Sequence, residues 1–266
     1  MRIGCCGSMI SPSADPVGAD IVESLAEIGY DYIELSLAGV AALPEPAFAF
    51  LAERLRRSGI RCEAFNNFFP ARVRLTGESA RLDLALAYAS GAMDRAAALG
   101  AEIIVFGSSG AKNVPTGFPI DAAWRQIVEL LRHLGPLAEK RGLTIAIEPL
   151  NRSESNLINL ASEGLQLVRE VNFRSVQLLI DYYHLAIERE DPRIAIEAGA
   201  ALRHTHFAKV CGRAFPDQLE RDYKAFFSCL RTAGYSKRCS VEAFTADFAA
   251  DAKLALAIMR QLASEQ

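Results

Sequence analysis

The chain has 266 residues, a mass of 28.9 kDa and a net charge of −3 at pH 7. Its length matches the ~250 residues typical of one eight-stranded α/β barrel, and its 51% hydrophobic content supports a sizeable core. With a pI near 5.9 the chain lacks the excess positive charge that binds nucleic acid or acidic membranes. No stretch approaches the ~18 uncharged apolar residues of a membrane span, so we expect neither nucleic acid nor membrane as a partner.

Cysteine usage bears on the compartment. The six cysteines, at positions 5, 6, 62, 211, 229 and 239, show no CxxC spacing. We expect buried, reduced thiols rather than disulfides, because most of them lie in or beside predicted strands and helices. The apolar stretch at the start of the chain is too short for a signal peptide. Both observations predict a cytoplasmic location.

Strand-like and helix-like segments alternate eight times along the chain. Apolar runs predict strands at about 2–7, 31–35, 60–65, 102–107, 143–148, 176–181, 204–207 and 239–243. Amphipathic periodicity predicts helices at about 16–28, 44–58, 79–99, 120–141, 161–171, 185–200, 217–233 and 246–264. The alternation indicates a parallel sheet, and eight units favour its closure over an open doubly wound sheet, whose GxGxxG turn is missing. We therefore predict one domain, residues 1–266, folded as a single α/β (β/α)8 TIM barrel.

Two long loops follow the third and fourth predicted strands, at residues 66–77 and 108–118. Both leave the C-terminal ends of their strands, which in a parallel barrel form the mouth where ligands bind. We expect these loops to form walls of that mouth, with plain connecting turns as the alternative.

The candidate site consists of residues that close predicted strands. Four apolar runs each end in a side chain that can bind a cation: Leu143-Thr-Ile-Ala-Ile-Glu148, Val176-Gln-Leu-Leu-Ile-Asp181, Arg203-His-Thr-His206 and Cys239-Ser-Val-Glu242. Because the C-terminal ends of barrel strands converge, we expect these four side chains to meet around one divalent ion. A single carboxylate at a strand end is commonly a helix cap or ion-pair partner. Four such residues on consecutive strands are better explained by a cation that removes the cost of burying them.

The donor set indicates which ion and which chemistry to expect. Three carboxylates and one imidazole suit Mn²⁺ or Mg²⁺, with Co²⁺ possible and zinc less natural. Four protein ligands leave room for a substrate to chelate the ion through two adjacent oxygens. The ion would then acidify a neighbouring C–H bond and favour an enediolate. Glu148 and Glu242, from strands five and eight, would approach the substrate from different sides as a catalytic acid/base pair.

Further polar residues follow three of the predicted ligands. Glu154 lies six positions after Glu148, His184 lies three positions after Asp181, and Arg213 lies seven positions after His206. Their placement on loops leaving the strand ends adds polar side chains to the same mouth and strengthens the case for a site there.

The segments Ile-Glu148-Pro-Leu-Asn151-Arg152, Ile-Asp181-Tyr-Tyr-His184-Leu, His204-Thr-His206 and Ser-Val-Glu242-Ala resemble the xylose-isomerase-like TIM-barrel superfamily of sugar isomerases and epimerases. Within it they are most similar to the ketose 3-epimerases acting on tagatose, psicose and ribulose. The resemblance implies a Mn²⁺ site made by Glu148, Asp181, His206 and Glu242, with both glutamates as proton carriers. It implies that Glu154, His184 and Arg213 bind the oxygens near C1 and C2 of a small carbohydrate. The implied reaction inverts C3 of a free ketose through a cis-enediolate, in a homo-oligomer (dimer or tetramer).

Two departures from the epimerase pattern concern the pocket wall. In the epimerases the loop after the histidine runs glycine, glutamate, then arginine. Here it runs His206-Phe-Ala-Lys209-Val-Cys-Gly-Arg213, so the arginine falls one position late and a lysine replaces the acid. We expect Lys209 either to contact an acidic substrate or to be solvated. The tip of the first strand also lacks the aromatic residue that those enzymes offer the sugar.

Other polar residues near the strand ends have simpler expected roles. His204 should be a buried, hydrogen-bonded histidine one layer below His206. Glu34 should be a pocket wall or a core ion pair, and Asn151 and Arg152 should orient Glu148.

Three other functions remain open on these residues. The first is a same-fold aldose–ketose or hydroxypyruvate-type isomerase, or a keto-cyclitol or dehydroshikimate-type dehydratase, which would use the same ion and enediolate chemistry. The second is an apurinic endonuclease, which would need more histidines than the four present, none of them in the first 132 residues. The third is a barrel that binds a sugar or metal without turnover.

Overall fold

A computed structural model of the chain describes residues 1–10 and 15–265. Eight parallel strands form one closed barrel in sequence order, which confirms the predicted fold. The strands are β1 Arg2–Cys6, β2 Tyr32–Ser36, β3 Cys62–Asn66, β4 Ile103–Phe106, β5 Thr144–Ile147, β6 Val176–Asp181, β7 Leu202–Phe207 and β8 Arg238–Val241. Each predicted strand overlaps an observed one.

The described residues form eleven α-helices rather than the eight predicted. They are α1 Val22–Ile28, α2 Leu37–Ala42, α3 Glu45–Ser58, α4 Leu82–Ala98, α5 Ser109–Lys112, α6 Ile120–Glu139, α7 Ala161–Val171, α8 Tyr182–Ile187, α9 Ile194–Ala198, α10 Arg221–Thr232 and α11 Phe248–Ser264. The predicted helix 185–200 is two helices, α8 and α9. Arg189 adopts a positive φ of 55° and Pro192 follows shortly after, and both interrupt a continuous helix.

The strands are buried on both faces, as the continuous apolar runs predict. Inside the barrel, six residues form an inner apolar cluster: Tyr32, Ala64, Ile103, Val105, Ala146 and Leu179. Position 4 on β1 requires glycine, because the ring of Tyr32 fills the space that a Cβ would need. The larger apolar cluster lies between the strands and the surrounding helices, and it leaves the C-terminal strand ends to polar residues.

The opposite, N-terminal end of the barrel is closed by ion pairs. Glu63 on β3 is 2% exposed and accepts hydrogen bonds from Arg2 and Arg238, which begin β1 and β8. Arg238 also pairs with Glu102, at 2.8 Å. No helix within the described ranges is long and apolar enough to span a membrane. All six cysteines are free.

Candidate metal centre

The four side chains predicted to hold a metal ion converge at the C-terminal end of the barrel. Each of Glu148, Asp181, His206 and Glu242 is buried, and each offers one donor atom that lies within 4.8 Å of the other three. The strands account for this convergence: Asp181 ends β6 and is in register with His206 on β7. Glu148 and Glu242 directly follow β5 and β8. Three carboxylates and an imidazole at this spacing could hold one divalent cation.

Asp181 shows most directly that the arrangement suits a cation. Its Oδ1 atom accepts a hydrogen bond from the backbone N–H of Tyr183 at 2.8 Å, so the residue caps helix α8. Its Oδ2 atom is buried and has no hydrogen-bond partner among the described residues. Burial raises the pKa of Asp181 to about 7. A carboxylate oxygen held in this state is a site where a cation would offset the desolvation cost.

His206 uses its two ring nitrogens on opposite sides. Nδ1 lies 2.8 Å from Glu148 Oε1 and 3.5 Å from Glu242 Oε2, facing the cluster. Nε2 lies 3.0 Å from Oε1 of Glu34, a fully buried carboxylate on β2. The other oxygen of Glu34 bonds to His204 at 2.9 Å and accepts from Ser240 at 2.6 Å. Glu34 is therefore a core ion-pair partner that orients the ring, as carboxylates behind metal-binding histidines do.

The two candidate proton carriers have different electrostatic surroundings. Burial raises the pKa of Glu148, and the charge of Glu242 adds to this rise while His206 opposes it. Burial would also raise the pKa of Glu242, but His206 and Arg213 outweigh it and hold that pKa well below its usual range. The Nδ2 of Asn66 donates to Glu242 Oε1 at 3.0 Å. Two carboxylates with pKa values moved in opposite directions are suited to opposite roles in proton transfer.

The structure also brings three predicted substrate contacts to the cluster. Arg213 forms ion pairs with Glu242 and, at 3.2 Å, with Glu154. His184 Nδ1 accepts from the backbone N–H of Asn151 at 3.2 Å, which leaves the proton on Nε2. That buried Nε2 has no hydrogen-bond partner in the part of the chain that the structure describes, and it lies 3.5 Å from Asp181 Oδ2. The Arg213 guanidinium and the His184 imidazole thus both adjoin the cluster, and the Glu154 carboxylate pairs with the guanidinium.

The loop after β7 explains why Arg213 reaches the site although it comes one position late. Gly212 and Arg213 both adopt positive φ values, of 72° and 46°, and the backbone N–H of Lys209 donates to the carbonyl of Ala214. This tight reversal turns Arg213 back over the cluster, where its guanidinium stacks on the ring of Tyr183. The ammonium of Lys209, for which the sequence left a substrate contact and a solvated position open, lies 2.7 Å from Asp217 and pairs with that carboxylate.

The two residues expected to orient Glu148 have other contacts, which corrects the sequence prediction. Asn151 does not orient Glu148; its Nδ2 contacts Glu154 at 3.1 Å and the ring of His184 at 2.8 Å. Arg152 pairs with Glu188 on the surface. Asn151 therefore supports Glu154 and His184 rather than Glu148.

Next to the four-residue cluster lies a cavity of about 130 Å³. The residues around it are mostly polar: Ser8, Met9, Asn66, Asn67, Ser108, Ser109, Glu148, Leu150, Glu154, Arg213 and Glu242. Loops 66–77 and 108–118 contribute two residues each, so they wall the mouth as predicted. The sequence pattern places Asn66 only at the start of loop 66–77, and its contact with Glu242 is visible only in three dimensions.

The chain belongs to the xylose isomerase-like TIM barrel family, whose model matches residues 22–262. This agrees with the superfamily resemblance seen in the sequence motifs.

Several relatives of the chain are named as ketose 3-epimerases. The chain is 33% identical to D-psicose 3-epimerase of Ruminiclostridium cellulolyticum over 122 residues, which cover 46% of this chain and 41% of that protein. It is 26% identical to D-psicose 3-epimerase of Agrobacterium fabrum over 230 residues, covering 84% and 78% of the two chains. The match to the first relative thus spans less than half of its length. A crystal structure of D-psicose 3-epimerase with D-tagatose from Clostridium cellulolyticum H10 shares the fold, with a TM-score of 0.89, 22% identity and 99% coverage of both chains.

Proposed function

We propose that the protein is a divalent-metal-dependent epimerase that inverts C3 of a small ketose. The proposal rests on one observation. The two candidate proton carriers, Glu148 and Glu242, lie in one buried four-residue cluster with Asp181 and His206. The relatives named D-psicose 3-epimerase support the same reaction class.

In this proposal the four residues of the cluster hold one ion, Mn²⁺ by preference, with Mg²⁺ or Co²⁺ as substitutes. When bound, the ion polarises the substrate carbonyl and makes the adjacent C–H bond more acidic. The unpartnered Oδ2 of Asp181 and the cluster-facing Nδ1 of His206 support this assignment.

The protein's own residues then divide the work of binding and proton transfer. One of Glu148 and Glu242 takes the C3 proton from one face of the ketose, and the other returns a proton to the opposite face. Positioned acid–base groups of this kind contribute about 10²–10⁴-fold to a rate. Arg213 and the Nε2–H of His184 donate hydrogen bonds to substrate oxygens near C1 and C2, and Glu154 accepts one from a hydroxyl.

The proposal also covers the domain, the compartment and the oligomeric state of the enzyme. The whole chain, residues 1–266, acts as one catalytic domain in the cytoplasm, as a dimer or tetramer. The six free cysteines support the compartment, and the resemblance to the epimerases supports the assembly. Light scattering of the purified protein tests the assembly directly.

The experiment that tests the function is proton-exchange NMR in D₂O with Mn²⁺-loaded and then Mg²⁺-loaded protein. Fructose, psicose, tagatose, sorbose, ribulose, xylulose, hydroxypyruvate and dehydroshikimate are offered separately. We expect deuterium at C3 of a ketose together with its C3 epimer. Deuterium at C1 instead would establish an aldose–ketose isomerase, and loss of water a dehydratase.

Glu148→Gln and Glu242→Gln serve as matched variants, because each keeps the side-chain shape and removes the proton carrier. We expect both to lose C3 exchange by at least about 10²-fold. Wild-type exchange rates in both variants would rule out the two-carboxylate mechanism.

A further inference from the structure

A buried lysine lies behind the wall of the cavity. Lys112, the last residue of the short helix α5, has a side chain that is 0% exposed. Its Nζ donates to the backbone carbonyl of Gly107 at 2.5 Å, its only acceptor among the described residues. Lysine is almost never fully buried without a charged partner, because removing an ammonium from water is costly. The free-energy cost of burying this ammonium indicates that the side chain has a function.

The acceptor of Lys112 lies directly against a predicted metal ligand. A Cβ at position 107 would overlap the carboxylate of Glu148, so the Gly107 backbone packs closely on that side chain. The hydrogen bond from Lys112 therefore fixes the turn after β4 at the point where it supports Glu148. Gly107 is required there by close approach, not by its backbone conformation.

The charge of Lys112 interacts with the carboxylates of Glu148 and Glu154. Burial lowers the pKa of Lys112 to about 7, and Glu148 and Glu154 oppose that lowering. Four carboxylates lie in or beside the cluster, those of Glu148, Glu154, Asp181 and Glu242. The Lys112 ammonium interacts with two of them, Glu148 and Glu154. A cation entering the cluster meets repulsion from the Lys112 ammonium or has to displace its proton, and either lowers ion affinity.

We propose that Lys112 is a positioning residue of this site: it holds the Gly107 turn against Glu148, weakens ion binding, and favours turnover. Its charge favours turnover because a substrate that has lost a C–H proton carries negative charge near this ammonium. The turnover part rests on the proposed function, whereas the ion-binding part does not.

The test compares Lys112→Met, which removes both the charge and the hydrogen bond, with Lys112→Gln, which removes the charge but can still donate to Gly107. Lys112→Arg restores a cation. Lys224→Met is the control, because Lys224 pairs with Glu265 on the outer surface of the barrel. Mn²⁺ affinity is measured by calorimetry without substrate, and kcat and KM are measured on the ketose found by proton exchange.

We expect Lys112→Gln to bind Mn²⁺ at least about threefold more tightly than the wild type. Lys112→Met should gain less, because it also loses the hydrogen bond that holds the Gly107 turn against Glu148. We also expect kcat to fall at least about tenfold, with KM within about threefold. Lys112→Arg should recover affinity and kcat towards the wild type, and Lys224→Met should match it. A residue needed only for packing would weaken Mn²⁺ binding when removed, so the direction of the change separates the two roles.

Unchanged or weaker Mn²⁺ binding in Lys112→Gln would overturn the proposal. So would failure of both neutral variants to fold while Lys112→Arg folds, because Lys112 would then serve the fold alone. If the wild type turns over none of the ketoses, the proposed function fails, and the Mn²⁺ titrations still decide the role of Lys112.

Discussion

The Nε2 atom of His206 lies 3.0 Å from Oε1 of Glu34, and the two residues are 172 positions apart in the chain. Burial alone would raise the pKa of Glu34, but the charges of His206 and His204 outweigh it and keep the carboxylate ionised. Burial would lower the pKa of His206, whereas Glu34, Glu242 and Glu148 together raise it well above its usual range. Glu34 thus fixes the ring so that Nδ1 faces the cluster.

Replacing Glu34 with Gln should therefore weaken metal binding. We expect the Kd for Mn²⁺ to rise about 10–100-fold, because the amide no longer fixes the ring tautomer or its orientation. Calorimetric titration of the metal-free protein measures this. Glu27→Gln, at an exposed position on α1, is the control and should bind like the wild type. An unchanged Kd in Glu34→Gln would show that Glu34 serves the core alone.

The second prediction concerns pH and follows from Asp181. Burial raises its pKa from 3.8 to about 7, so the folded protein binds this proton more strongly than the unfolded chain. The resulting stability is fully present below about pH 4 and is lost as pH rises through about 7. The loss is at most about 4 kcal/mol. Metal-free wild type should therefore lose stability relative to Asp181→Asn as pH rises from 5 to 8.

Thermal melts of both proteins at each pH measure this difference. Mn²⁺ should restore the wild type at pH 8 more than at pH 5, and it should restore Asp181→Asn little at either pH. A constant difference between the two proteins across this range would contradict the pKa shift. Because Glu34 and Glu242 shift in the opposite direction, only the comparison with Asp181→Asn isolates the contribution of Asp181.

The barrel and the four-residue cluster were predictable because each depends on a local pattern. Glu148 and Glu242 each follow an uninterrupted apolar run, and parallel closure brings the ends of such runs together whatever their separation in sequence. The same reasoning places Asp181 and His206 at the C-terminal ends of β6 and β7 without knowledge of the residues that they contact. Short helices such as α5 were missed because four residues carry too little periodicity.

The supporting residues were harder to predict because their roles depend on distant partners. Lys112 stands in a polar loop, Ser108-Ser-Gly-Ala-Lys112-Asn, where a lysine is normally solvated. Lys209 and Arg213 could not be told apart by spacing, since the positive φ angles at Gly212 and Arg213 decide which of them turns inward.

The third prediction concerns Asn66, whose Nδ2 donates to Glu242 Oε1 at 3.0 Å and to Ser8 Oγ at 3.0 Å. Asn66→Ala should lower kcat about tenfold, because Glu242 loses the donor that holds it in place. Mn²⁺ affinity should change less than about threefold, since the ligand atoms remain. Asn66→Asp places a second carboxylate beside Glu242 and should lower kcat further. Wild-type kcat in Asn66→Ala would show that the cluster alone positions Glu242.

The last prediction separates stability from function at the opposite end of the barrel. Glu63 is 2% exposed and bonds Arg2 and Arg238 at 2.6 Å each, so Glu63→Gln leaves two cations short of a partner. We expect the free energy of unfolding to fall by about 2–4 kcal/mol. Thermal melts should show a Tm lower by about 4–8 °C.

The control for this change is Glu102→Gln. Glu102 pairs with the same Arg238, but its side chain is 52% exposed, so water replaces the lost partner and the cost should stay below about 1 kcal/mol. Mn²⁺ affinity should be unchanged in both variants, because these ion pairs lie at the N-terminal end of the barrel and the cluster lies at its C-terminal end. Equal destabilisation by the two variants would mean that burial of Glu63 adds nothing to its ion pairs. Weaker Mn²⁺ binding in Glu63→Gln would instead mean that the two ends of the barrel are coupled through the strands.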